Sequence, residues 1–310
     1  MAIYDAFLNT APETKPGFTG EIAKIPERWL ESPCNKPGRI ERLDYECPLF
    51  DHPGETCRKY ALVYLPWEYD RQPEKRYNVM YMIHGGGGSP EEYLGEGCPF
   101  ISMLDYAMAE GEMEPFIVVS PTYYPPNDQD ISVDFSGRCT AVFMQELTKY
   151  IMPAAESLYR THAGSGRDEA LKGSRAHRGI GGFSMGGVTT WYAFLDAMAY
   201  FGWFMPMSGD CWVMERRGGI SYPEETAAKL AEAVSRQGFT PEDFLLYFIT
   251  GSEDIAWDAC DAQVKAMEKN HPDVFRFGVN SFWGLQQDGW HTVEQVRHYA
   301  LHVLRGFWKK

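Results

Sequence analysis

"HRGIGGFSMGGVTTWY", His177 to Tyr192, sets a single serine among five glycines. The run before that serine, "HRGIGGF", is apolar and β-rich, and the run after it, "GGVTTWYAFLDAMAYF", reads as a buried helix. Gly182-Phe183-Ser184-Met185-Gly186 fits G-x-S-x-G where the two meet. A chain that turns so sharply from strand into helix can lift a serine oxygen clear of the sheet only if its neighbours are small. Glycine-rich turns are common and the bare pentapeptide arises by chance. The strand-turn-helix setting makes it a candidate nucleophile elbow with Ser184 as nucleophile.

Outward from this stretch, strand and helix patterns alternate. Residues 59–66, 77–84 and 115–124 read as strands, with a helix over 100–111 between the last two. A second helical pattern spans 141–159. After the elbow come a strand at 202–209, a helix at 225–238, a strand at 243–251 and a helix at 261–270. "VFRFGVN" (274–280) is the weak candidate for the last strand, and a helix from about Thr292 to Trp308 closes the chain. Such alternation predicts an α/β fold, with a mostly parallel central sheet and helices on both faces. Ligands bind such sheets at the carboxyl ends of the strands.

A chain of 310 residues, 44% of them hydrophobic, can bury a large core. No repeat or Pro/Gly/Ser linker divides it, and we read an N-terminal extension over 1–36 and one domain over 37–310. The net charge of -14 disfavours nucleic acid and anionic membranes as partners. No apolar stretch approaches the roughly 20 residues of a membrane span. The N-terminus lacks a basic segment followed by an apolar run, which predicts either a cytoplasmic protein or the mature form of a secreted one. Seven cysteines without CxxC pairing disfavour zinc and a disulfide framework.

A serine nucleophile needs a histidine base and a carboxylate to orient it, in the chain order Ser, Asp or Glu, His for this kind of sheet. His298 and His302 fall inside the final helix at i, i+4 spacing and read as surface or packed helix residues, and with no acidic residue to complete an HExxH zinc motif a metal pair is not expected there. His291, in "DGWHTVEQ", stands directly before a helix whose Thr292 and Gln295 have capping-box spacing, so it lies on a loop leading out of the sheet. It is the expected base. The acid candidates are Asp210 in "FMPMSGD" and Glu253 or Asp254 in "FITGSEDIAW". Asp254 follows the penultimate strand, from which a histidine on the last loop is most readily reached. "YMIHGGGGSP" offers backbone N–H groups for a developing oxyanion, and the N–H groups of Gly86 and Met185 are the expected pair. His84 reads as a structural residue of that loop. Trp212, Trp257, Trp290, Tyr123 and Tyr124 lie near strand ends and are candidates to stack on an aromatic acyl group or a sugar, Trp212 foremost. Asp210 is the runner-up for the acid, with support of the loop that carries Cys211 and Trp212 as its alternative role, and it counts with Trp212, Trp257 and Trp290 among the candidate substrate-binding residues.

Five blocks in order, "EGEMEPFIVVSPTYY", "HRGIGGFSMGGVTTWY", "FMPMSGDCW", "TGSEDIAW" and "GWHTVEQVRHY", resemble the feruloyl esterase domains attached to bacterial xylanases, in carbohydrate esterase family 1. The resemblance runs from about Pro37 to the C-terminus. It implies an α/β-hydrolase fold without metal or organic cofactor, and a triad of Ser184, Asp254 and His291. It also implies a feruloylated oligo- or polysaccharide such as arabinoxylan as substrate. Residues 1–36 and the acidic stretch 125–138 depart from the family pattern, as do Thr292 and Val293 where bulkier aromatics are expected. The alternatives are an esterase for acetylxylan or another small ester, and an acyltransferase or non-catalytic binding protein on the same fold.

Overall fold

The computed structural model describes residues 2–3, 22–49, 54–126 and 128–308. Most of the N-terminal extension, residues 4–21, and Asn127 of the acidic stretch lie outside the described residues.

Eight strands form one sheet in the order β1-β2-β4-β3-β5-β6-β7-β8. They are β1 (Arg39–Pro48), β2 (Thr56–Leu65), β3 (Asn78–Ile83), β4 (Phe116–Ser120), β5 (Arg178–Phe183), β6 (Trp203–Met207), β7 (Leu245–Gly251) and β8 (Ser281–Gln286). β1 and β2 pair antiparallel, β2 meets β4 antiparallel, and all later neighbours run parallel. Every residue of β4, β5, β6 and β7 is buried. That is why these strands read as continuous apolar runs: parallel strands covered on both faces have no wet side.

Two apolar clusters lie against the sheet. One joins it to the helices Val133–Glu146, Met185–Asp196, Pro223–Arg236 and Trp257–Asn270. The other takes the helices Pro99–Ala109 and Val293–Leu304 and reaches the N-terminal segment through Ile22, Ile25 and Trp29. That segment is also clasped by the last helix, where Nδ1 of His302 and of His298 accepts the backbone N–H of Ala23 and Ile25 at 3.0 and 2.9 Å. No helix among the described residues is long and apolar enough to cross a membrane.

Three elements differ from the sequence expectation. β1 carries charge on its outer face and buries only Leu43, Tyr45 and Cys47, so its alternation is diluted by arginines and acids. The last strand is not "VFRFGVN" but Ser281–Gln286. Over 274–280 the chain turns, with Gly278 at a φ of 82°, Phe275 packed against Phe194 and Phe244, and the Asn280 amide donating to the carbonyls of Pro241 and Val274. One buried ring and that turn imitate a strand's alternation. The long helix begins at Val133 rather than 141, because Ser132 caps it by accepting the Phe135 N–H. The second half of the acidic stretch is therefore helical.

β3 leads leftward in the sheet to β4, while β5 lies on its other side and leads on to β6. Connections diverge between β3 and β5, and a crevice opens there at the strand ends. The loop after β3 is the four-glycine turn, and the residue after β5 is Ser184.

Candidate active site

Ser184 follows the last residue of β5 and precedes the helix Met185–Asp196, with φ 55° and ψ -113°. A non-glycine residue in this region is strained, and the surroundings hold it there. Its N–H donates to Met207 O on β6 at 2.9 Å, and its C=O accepts the Val188 N–H. A Cβ on either Gly182 or Gly186 would collide with the carbonyl oxygen of Ile83, so the turn can pass this close to β3 only with glycine at both positions. The glycines therefore answer a steric demand, and the demand exists because Ser184 is raised at the strand end.

The loops after β7 and β8 bring two further groups to it. Ser184 Oγ donates to Nε2 of His291 at 3.0 Å, and Nδ1–H of His291 donates to Asp254 Oδ1 at 2.7 Å. The Asp254 side chain is 0% exposed and that of His291 20%. The same Asp254 oxygen accepts the Ala256 N–H, which fixes the carboxylate within its own loop. The Phe183 ring lies 4.5 Å from the imidazole. Thr292 caps the last helix by accepting the Gln295 N–H, which fixes the chain directly after His291. A carboxylate on one imidazole nitrogen leaves the other free to accept a hydroxyl proton.

Gly86 and Met185 line the same cavity as Ser184 and His291, and a Cβ on Gly86 would lie 3.3 Å from the Met185 side chain. Met185 is the first helical residue, so its N–H has no partner within the helix. His84, fully buried, donates from Nδ1 to Gly85 O and accepts the Thr122 hydroxyl at Nε2, both at 2.8 Å. Burial pulls its pKa down to about 4. It is a neutral brace, as its place in the sequence suggests.

The cavity holds about 340 Å³. Asp210 and Trp212 line it, joined by a 3.0 Å bond from the indole N–H to Asp210 Oδ1. Asp210 Oδ2 accepts the Gly219 N–H at 2.8 Å, and burial raises its pKa. Both its oxygens are thus occupied in holding the loop, and His291 takes its carboxylate from Asp254. Trp257 and Trp290 do not line this cavity. Trp257 stacks on Trp283 with centroids 6.0 Å apart, and Trp290 stands 61% exposed beside His291 in the chain. Tyr123 and Tyr124 brace the glycine turn from behind, through Gly85 O and Gly87 N–H. Sequence reasoning misses Ile131, Val133, Arg216, Arg217 and Ile255, which also line it. They sit on loops or at a helix start, where no periodicity singles them out. Among the described residues, no three His, Cys, Asp or Glu side chains group as a metal site would need.

Known proteins match both the chain and its fold. A family model described as a putative esterase matches residues 56–302. The chain is 37% identical over 286 residues to endo-1,4-beta-xylanase Y of Acetivibrio thermocellus, which covers 91% of this chain and 24% of that protein. It is 28% identical over 216 residues to an endo-1,4-beta-xylanase/feruloyl esterase of Xylanibacter ruminicola, covering 64% of this chain and 28% of that protein. The chain thus spans about a quarter of the length of these relatives. A solved structure of the feruloyl esterase module from Clostridium thermocellum, a serine-to-alanine mutant complexed with sinapinate, matches with a TM-score of 0.79 at 32% identity, covering 95% of this chain and 96% of that one.

Proposed function

From the premise that this chain belongs to the putative esterase family, we propose that it is a serine esterase that cleaves hydroxycinnamate (feruloyl) esters of plant cell-wall polysaccharide such as arabinoxylan. The observation that carries this reading is the hydrogen-bonded line Ser184, His291, Asp254 opening into a cavity walled by Trp212. Residues 37–310 act as one hydrolase unit, to which the segment from Ile22 is fastened by His298 and His302.

In this mechanism Ser184 Oγ attacks the ester carbonyl while His291 Nε2 takes its proton. Negative charge gathers on the former carbonyl oxygen, where the N–H groups of Met185 and Gly86 stabilise it. Collapse expels the sugar oxygen, which receives the proton from His291, and leaves feruloyl-Ser184. Water, deprotonated by His291, then splits the acyl-enzyme into ferulic acid and free Ser184. Asp254 holds the imidazole in the tautomer both halves require.

The cavity volume and the indole at its wall favour an aromatic acyl group over acetyl, which is too small to reach Trp212. The sinapinate in the related module, itself a hydroxycinnamate, supports the same class. Hydrolysis of methyl ferulate, p-nitrophenyl acetate and acetylated xylan, with and without sugar acceptors, tests the proposal. Release of ferulate as free acid supports it. Preferential deacetylation of xylan, or transfer of the acyl group to the sugar, points to the competing activities.

A further inference from the structure

The four-glycine turn after β3 is held from two sides by side chains that take no part in the mechanism above. On one side Tyr123 O–H donates to Gly85 O at 2.8 Å, and the Tyr124 hydroxyl oxygen accepts the Gly87 N–H at 2.8 Å and is hydrogen-bonded to Ser136 Oγ. On the other side stands Glu92, in the short helix Glu91–Leu94. Its Oε1 accepts the Gly85 N–H at 3.0 Å. Its Oε2 fills the hollow of the turn: a Cβ on Gly88 would lie 2.5 Å from that oxygen, and one on Gly85 would lie 3.6 Å from it and 3.2 Å from the Phe183 ring. Phe183 in turn packs on His291. A side chain on Gly88 would have to displace the Glu92 carboxyl, and its Cβ would also crowd Gly85 O and the His84 Cβ at 3.1 Å.

We propose that Glu92 is a positioning residue that holds the Gly85–Gly88 turn so that the Gly86 N–H meets the ester's developing oxyanion. The inference rests on the reading of Gly86 and Met185 as the oxyanion donors. A turn of four glycines has almost no intrinsic preference for one conformation, so its orientation must come from its partners. Donors contribute to the barrier only when they are fixed before charge develops. Burial raises the Glu92 carboxyl to about 7, against the opposing pull of the Gly85 N–H and, after it, of Arg297 on the last helix. At neutral pH it is shared between protonated and ionised forms, and either form presents an acceptor oxygen to Gly85.

The test uses Glu92→Gln, which keeps an acceptor, and Glu92→Leu, which keeps the bulk and removes it, assayed beside wild type on methyl ferulate and p-nitrophenyl acetate. We expect Glu92→Leu to lower kcat by roughly ten- to a hundredfold on both esters with KM changed less than about threefold, since misplacing one donor costs transition-state stabilisation alone. Glu92→Gln should stay within about threefold of wild type. Gly88→Ala, which drives a methyl into the Glu92 oxygen, should lower kcat in the same way and serves if Glu92→Leu fails to fold. Unchanged kcat in both Glu92→Leu and Gly88→Ala, a loss confined to KM, or a Glu92→Gln defect as large as that of Glu92→Leu would overturn the proposal. If wild type hydrolyses neither ester, it is the esterase reading that fails, which is a different outcome.

Discussion

Asp254 and His291 stand on the loops after β7 and β8, 37 residues apart in sequence, and meet through a 2.7 Å hydrogen bond. Asp210, the other buried aspartate at the strand ends, spends its two oxygens on Trp212 and Gly219. The two should therefore separate in mutation. Asp254→Asn should lower kcat by about 10³- to 10⁴-fold, because an amide can favour the wrong imidazole tautomer. Asp210→Asn should cost far less with p-nitrophenyl acetate. The reverse order of severity in steady-state kinetics would transfer the orienting role to Asp210.

Trp212 lines the cavity beside Ser184, and the proposed function sets its indole against the acyl group. Losing one apolar contact with an aromatic ester costs about 1–3 kcal/mol in the transition state, so Trp212→Ala should lower kcat/KM for methyl ferulate roughly ten- to a hundredfold and leave p-nitrophenyl acetate nearly unchanged. Equal losses on both would assign the indole to supporting the Asp210 loop instead.

Much of this was legible in the sequence because the same residues carry pattern and purpose. Ser184 is marked by its glycines, and His291 by the Thr292 cap that follows it. Asp254 is marked by the strand Leu245–Gly251 before it. What escaped has physical causes. β1 is an edge strand whose outward residues are charged, so only Leu43, Tyr45 and Cys47 carry its signal. Ile131 is 62% and Ile255 74% exposed, and neither belongs to a regular element whose period would reveal its direction. Glu92 is one acid among several after the glycines, and only the fold places its carboxyl inside their turn.

Near the opposite ends of the strands, Arg178 and Glu156 form a buried pair with bonds of 2.6 and 2.8 Å, to which Tyr81 also donates. Arg178 is held further by Leu171 O, Tyr200 O and Ser174 Oγ. Removing one partner leaves the other charge buried, so Glu156→Ala should lose about 3–5 kcal/mol in urea unfolding. A loss below about 1 kcal/mol would mean that water reaches Arg178.

Acid should loosen the fold through its buried imidazoles. Burial pulls both His84 and His302 from 6.5 to about 4. Between those values the unfolded chain binds protons that the folded one does not. The stability these histidines contribute is therefore present above pH 6.5 and lost as pH falls toward 4. His302 also accepts the Ala23 N–H, which a protonated ring cannot do at that nitrogen. Tm should drop from pH 7 to pH 5, and His302→Gln should flatten the drop. A Tm indifferent to pH over this range, or an unchanged slope in His302→Gln, would contradict it.

In the proposed reaction Ser184 carries a hydroxycinnamoyl group taken from a polysaccharide. This is tested most directly by following ferulate released from feruloylated arabinoxylan by wild type and by Ser184→Ala, whose folding is checked by its thermal transition. Wild type should release ferulate steadily and the variant should lose several orders of magnitude in rate, since triad members act as a unit. A wild-type protein that releases no ferulate, or a folded Ser184→Ala retaining more than a few per cent (roughly) of the wild-type rate, would contradict the proposed reaction.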